Sequence, residues 1–312
     1  MPETRAGIRW GASRRWTGAT LLLLVGVAAC SRGASKPTAG PRSVRDGLGR
    51  ELHLPVRIER VVSLAPSSTE ILFALGAGGQ IVGVDRYSNH PAAARTLPQV
   101  GADMDPSLER IVALRPDVVF TATSANTQAT TENLERLGIP VYVSRALRLE
   151  DIFGDIVGLG EAVGRAEAAR HLVAELRGRV AALGARYGAG PPVRTLVIIW
   201  PEPLVVAGRA SHIGDLIRAA GGMNLADDSP QAFPSYSVER MLVQAPEVLI
   251  VGGHSTGGPP PLGALTQLGT VPAVRQHRVH VVDGDVVFRP GPRVVEAIDL
   301  LGRLLHPELA PH

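Results

Sequence analysis

The sequence predicts an α/β fold: two Rossmann-like lobes with mainly parallel sheets, joined by one long helix, with a cleft between the lobes. Three observations carry this. Strand and helix signals alternate through both halves of the chain, the pattern of βα units on a parallel sheet. The stretch from about Leu149 to Tyr187 has no strand signal. A pattern also recurs once in each half, from Ser107-Leu108-Glu109-Arg110 to Pro116-Asp117-Val118-Val119 and from Ser237-Val238-Glu239-Arg240 to Pro246-Glu247-Val248-Leu249. Both read Ser, apolar, Glu, Arg, helix, Pro, acid, strand. The simplest account is a pseudo-twofold pair of lobes facing a cleft.

The elements follow in order. Residues 1–29 read as an export leader: a basic start through Arg14-Arg15, then the apolar run Leu21–Ala29, too short to span a bilayer. Val27-Ala28-Ala29-Cys30 resembles a bacterial lipobox, which implies that Cys30 is acylated. Ser13-Arg14-Arg15-Trp16 resembles a twin-arginine signal. Residues 30–45, rich in Ser, Gly, Pro and Lys, read as a flexible tether. The N-terminal lobe is expected over 46–148. It opens on a turn at Asp46–Arg50 and a β-branched strand Arg57–Leu64. Ser67-Ser68-Thr69-Glu70 reads as a capping box starting a helix that Gly76 stops. Strand Ile81–Val84, helix Leu108–Leu114, strand Val118–Phe120, helix Gln128–Leu137 and strand Pro140–Val143 follow. A helical segment spans 149–188, its second helix Arg165–Tyr187 carrying Ala169, Leu172, Leu176, Val180 and Leu183 on one stripe. The C-terminal lobe, 189–312, resumes the alternation and ends on helix Arg293–Leu305.

The formal charge of +3 does not indicate a nucleic-acid binder. Arg5, Arg9, Arg14 and Arg15 against Glu3 place all of that excess in the leader, and the remainder is balanced. Aromatic residues are only 4 % of the chain, so each one outside the leader is a candidate for a specific role. Trp200 is the one tryptophan beyond the leader, and it closes a strand, where open α/β sheets place ligands.

Arg60-Val61-Val62-Ser63-Leu64-Ala65-Pro66-Ser67-Ser68-Thr69-Glu70-Ile71-Leu72 resembles the opening of the helical-backbone substrate-binding proteins of bacterial ABC importers, which carry cobalamin, haem or ferric siderophores. Val84–Pro91, the Glu109–Pro116 run, Ala219–Asn224 and the Glu239–Pro246 run match in the same order. Among these proteins the cobalamin binders match best, through Tyr87-Ser88-Asn89-His90-Pro91, Ala93 and Leu97–Val100. The resemblance implies an exported, lipid-anchored monomer, periplasmic or on the outer membrane face, that is not an enzyme and holds no cofactor. It would carry a corrinoid to a permease and its ATPase.

Residue by residue, the resemblance makes Tyr87, Trp200, Phe233, Asp285, Phe288 and Arg289 ligand-binding candidates, and Glu109 and Glu239 permease-docking candidates. A core position for Trp200 and Phe233, a surface role for Tyr87 and Arg289, and a helix-dipole role for both glutamates are the alternatives. Met104-Asp105-Pro106 stands where some cobalamin binders carry a further tryptophan. With Cys30 the only cysteine, no intrachain disulfide can form.

Other functions fit less well. Gly253-His254-Ser255-Thr256-Gly257 satisfies the nucleophile-elbow pattern, but Gly258-Pro259-Pro260-Pro261 cannot open the helix that an elbow requires. The nine histidines form no close metal pair, and the His277/His280 spacing lies on a turn into a strand. Haem, with Tyr87 or His90 as axial ligand, or a ferric siderophore remains the rival cargo.

Overall fold

A computed structural model of the chain describes residues 42–102, 105–123, 128–253 and 268–309. The leader, Cys30, the first residues of the tether, Met104 and the His254–Gly257 part of the elbow pattern lie outside them.

The N-terminal lobe opens on a hairpin of β1 (Arg42–Arg45) and β2 (Glu51–Leu54). Asp46 organises its turn, accepting from the backbone N–H of Leu48 and Arg50 and from Arg50 Nε. Gly47 then donates to the Val143 carbonyl. A Cβ on Gly47 would lie 2.5 Å from the Arg145 nitrogen, so only glycine permits this approach. The span read as a tether therefore ends earlier than expected, because Arg42–Arg45 finds a paired strand that composition does not reveal.

Next come β3 (Val61–Ser63), α1 (Pro66–Ala74), β4 (Ile81–Val84), α2 (Leu108–Ala113), β5 (Val118–Ala122), α3 (Gln128–Arg136) and β6 (Val141–Ser144). The four strands β3 to β6 form an all-parallel sheet in the order β4-β3-β5-β6. The first strand is shorter than its β-branched run because Asp117 takes the N–H groups of Glu59 and Arg60 out of the ladder. The capping box is also corrected. Ala65 caps α1 without a side-chain bond, Pro66 opens it, and Ser67–Glu70 lie inside the helix.

Two helices follow, α4 (Leu149–Ala162) and α5 (Ala166–Tyr187), parted at Gly164. The C-terminal lobe contains β7 (Val193–Pro201), β8 (Leu204–Val206), α6 (His212–Ala219), β9 (Gly222–Asn224), α7 (Val238–Gln244), β10 (Val248–Gly253), α8 (Pro272–Arg275), β11 (Val279–Asp283), α9 (Gly284–Val287) and α10 (Val294–Leu305). Its sheet runs β11-β10-β7-β8, parallel except for β8, with β9 joining β7 in parallel. Three short elements, β9, α8 and α9, span only three or four residues each, too few to carry a periodic signal.

Strand residues alternate between two core layers, as the two-residue period demands. Val62, Val119 and Val141 face one layer of the first lobe, and Leu196, Leu249 and Val251 one layer of the second. Val61, Val118 and Phe120 join Val197, Val248 and Ile250 in a third core that runs through both lobes. Ala169, Val173 and Leu176 of α5 lie in that core. Moving the lobes far apart would expose it at a cost of about 25 cal/mol per Å² of apolar surface.

Candidate functional site

The carboxyl ends of both parallel sheets supply the site. After β4 the chain turns at Asp85, which is fully buried and accepts from the Tyr87 N–H at 2.7 Å and from Ser88 Oγ at 2.5 Å. Ser88 Oγ lies 2.8 Å from Thr69 Oγ1, which donates to Ser63. This hydroxyl chain ties the Tyr87 turn to α1. Tyr87 is half-buried, with Arg86 Nη2 donating to its hydroxyl at 2.7 Å.

From the other lobe, Asp283 caps α9, and the turn after that helix presents Phe288 and Arg289. Arg289 Nη1 donates to Asn89 Oδ1 at 2.8 Å and to Glu70 Oε1 at 3.2 Å, and Arg289 Nη2 donates to the Tyr87 carbonyl at 3.1 Å. Asp285 pairs with Arg289 at 2.8 Å and accepts from Asn89 Nδ2 at 2.8 Å. Arg293 grips Glu70 with two bonds, Nε to Oε2 at 2.9 Å and Nη2 to Oε1 at 2.7 Å. The Glu70 side chain is 3 % exposed and the two arginines 12 % and 13 %. Burial works against the Arg293 charge, but the Glu70 carboxylate outweighs it and raises the arginine's pKa.

A second ionic link joins the lobes elsewhere. Arg148, just before α4, makes a bidentate pair with Asp215 of α6 at 2.7 and 2.8 Å, and the Leu149 N–H joins it. Burial pushes the Asp215 carboxyl up, but Arg148, Leu149 and Arg218 outweigh it and hold it below the usual range.

A cavity of about 300 Å³ lies between the lobes. Ser67, Ile71, Thr123 and Asp155 wall it from one side and His212, Phe233 and Phe288 from the other. Phe288 is seated by Gly252, where a Cβ would come within 2.0 Å of its ring. Asp155 is 4 % exposed. Its desolvation and the nearby Asp151 charge push its pKa up to about 7, with Ser144 and the Arg145 N–H partly offsetting this. His212 is also 4 % exposed, and burial lowers its pKa to about 4.

Of the sequence candidates, Phe233 and Phe288 share the cavity, while Asp285, Arg289 and the Tyr87 backbone share the ion network. Phe233 is 47 % exposed and Trp200 50 %, so neither is a core residue. Trp200 stands apart from the cavity wall, its indole N–H bonded to the Glu202 carbonyl at 2.8 Å. Glu109 and Glu239 are exposed in the first turns of α2 and α7. Those helices match closely. Ser107 and Ser237 cap them, Arg115 and Ala245 both take φ 45° before the proline, and Asp117 and Glu247 bind the backbone of the neighbouring segment. The Glu239 carboxyl is held below the usual range by its own backbone N–H and the Ser237 hydroxyl.

The sequence profile described as periplasmic binding protein matches residues 61–286. This chain belongs to that family. A vitamin B12-binding protein of Vibrio parahaemolyticus is 30 % identical over 242 residues, 77 % of this chain and 87 % of that one. The solved periplasmic vitamin B12 binding protein BtuF of Vibrio cholerae superposes with a TM-score of 0.69 at 27 % identity, over 81 % of this chain and 98 % of that one. The periplasmic heme-binding protein RhuT of Roseiflexus superposes with a TM-score of 0.71 at 28 % identity, over 81 % and 99 %.

Sequence reasoning missed Glu70, Arg293, Asn89, Asp155 and His212 as site residues. Glu70 was read as a capping residue. A carboxylate at a helix position where apolar neighbours are buried was the available signal. Asp155 and His212 gave none, since their convergence depends on how the lobes meet.

Proposed function

We propose that this chain is the extracytoplasmic substrate-binding lipoprotein of an ABC importer, and that its cargo is cobalamin or a related corrinoid. It captures the ligand between its lobes and delivers it to the permease, whose paired ATPase drives import. It works as a monomer, anchored through Cys30, and catalyses no reaction. The observation that carries this reading is the interlobe cavity with Phe233 and Phe288 on its wall and the Arg289 network beside it. Aromatic faces with a few placed polar groups suit a broad, flat macrocycle. The relatives named as vitamin B12-binding proteins support the same cargo.

In this reading Tyr87, Trp200, Phe233, Asp285, Phe288 and Arg289 contact the ligand, and Glu109 and Glu239 dock the two lobes on the permease. Haem is the second reading. A guanidinium against the Tyr87 oxygen suits a tyrosine axial ligand to ferric haem, and a solved relative is named for haem.

Calorimetric titration with cobalamin, cobinamide, ferric haem and ferric siderophores decides between them. Micromolar or tighter corrinoid binding is expected. Absence of any corrinoid binding, with a haem Soret band that Tyr87→Phe removes, would overturn the corrinoid reading. Cys30→Ala should move the protein from the membrane to the soluble fraction. Unchanged partitioning would refute the anchor.

A further inference from the structure

The 300 Å³ cavity is too small to enclose a whole corrinoid and lies at the low end for small-molecule sites. A projecting side arm of a larger ligand fits that volume, with the macrocycle across the mouth. The chemistry of the wall is specific. Among the described residues that line it, none is Lys or Arg. Asp155 and His212 supply its two titratable groups, both 4 % exposed. The His212 ring lies on this wall with the Val287 backbone as its polar neighbour, and its Nε2 makes no short hydrogen bond, so the imidazole has hydrogen-bonding capacity left. The remaining polar groups on the wall include the hydroxyl residues Ser67 and Thr123.

We propose that this inner cavity is a subsite for an uncharged primary-amide side arm of the ligand, with Asp155 accepting from the amide NH₂ and the His212 imidazole facing the same arm, and that it excludes carboxylate arms. The inference rests on the corrinoid reading, because corrinoids carry acetamide and propionamide arms whereas haem carries propionates. A carboxylate entering here would meet no cation among the described residues of the wall. Arg289, which sits between the lining residues Phe288 and Pro290, is already committed to Glu70 and Asp285, and Arg293 to Glu70. His212 does not supply the charge, since burial keeps it neutral at physiological pH. An ionised Asp155 would repel the newcomer outright. An amide presents both donor and acceptor and satisfies the wall without bringing in charge.

The test uses the chain with its natural residues and the set of cobalamin monocarboxylates, in each of which one peripheral amide is hydrolysed to a carboxylate. Titration should show that the isomer altered on the inserted arm binds at least about tenfold more weakly than cobalamin at pH 8, while isomers altered elsewhere bind comparably. Asp155→Asn, checked for folding by circular dichroism, should narrow that ratio severalfold. Equal binding of all isomers, or a ratio that Asp155→Asn leaves untouched, would remove the subsite and leave the corrinoid reading standing. No binding of cobalamin itself would remove both.

Discussion

Replacing Glu70 by alanine removes the anion that joins α1 to the two arginines of the C-terminal lobe. Three hydrogen bonds are lost, at 2.7, 2.9 and 3.2 Å. Arg289 keeps Asp285, but Arg293 is left nearly buried against a carbonyl. Breaking one side of a buried pair costs about 3–5 kcal/mol, because a charge remains without water or partner. For a fold of roughly 270 residues the unfolding entropy is about 0.6 kcal/mol per kelvin, so Tm should fall by about 5–9 °C. Differential scanning calorimetry measures it. Glu150→Ala, which breaks the exposed pair with Arg177, is the control and should cost under about 1 kcal/mol. The double replacement Glu70→Met with Arg293→Met should recover most of the loss, because both charges leave together. A shift of under about 2 °C for Glu70→Ala, or a double variant no better than the single one, would refute the view that this pair clamps the lobes.

Other consequences are equally open to measurement. Folded Asp155 titrates at about 7 against an ordinary 3.8, so it holds an extra proton in the folded state and its contribution to stability falls as pH rises from about 4 to about 7. Folded His212 titrates at about 4 against 6.5, so the folded state holds one proton fewer and stability falls as pH drops from 6.5 to about 4. The two slopes oppose each other between about pH 4 and 6.5. Relative to the parent, Asp155→Asn should therefore lose stability on acidification and His212→Gln on alkalinisation, each by at most about 1.4 kcal/mol per pH unit in urea denaturation. Profiles parallel to the parent's would contradict both assignments. Gly252→Ala should displace the Phe288 ring, cost about 1–3 kcal/mol and weaken ligand binding, whereas Gly178→Ala on the open face of α5 should be neutral or stabilising. Glu109→Ala with Glu239→Ala should leave ligand affinity intact and impair uptake by cells. Normal uptake would end the docking assignment.

Much of this architecture was legible because its signals are local. The apolar run Val118–Phe120 reads as a strand by composition, and the strand it opens, Val118–Ala122, is buried at every position, as in a parallel sheet covered on both faces. The two Ser-x-Glu-Arg helices declared themselves because a serine cap, a proline stop and the acid after it all act within a few residues. Helix α5 was legible through its stripe, which packs as read. Misreadings occurred where a local signal had a stronger distant competitor. The Ser67–Glu70 pattern has the composition of a capping box, yet Pro66 opened the helix and a pair of arginines more than two hundred residues away claimed the carboxylate. Arg42–Arg45 has the composition of a linker, yet a partner strand and the Asp46 turn ordered it.

By itself, then, the sequence determined the α/β class, the paired lobes, the long helix and the aromatic candidates, since period, capping and repetition are properties of neighbouring residues. Tertiary structure alone decided what meets across the lobes. It put Glu70 between Arg289 and Arg293, seated Phe288 on Gly252, and brought Asp155 and His212 to one wall whose described residues include no Lys or Arg. Burial and charge at such a junction depend on the packing of segments far apart in the chain, and no local pattern encodes the water that their meeting excludes.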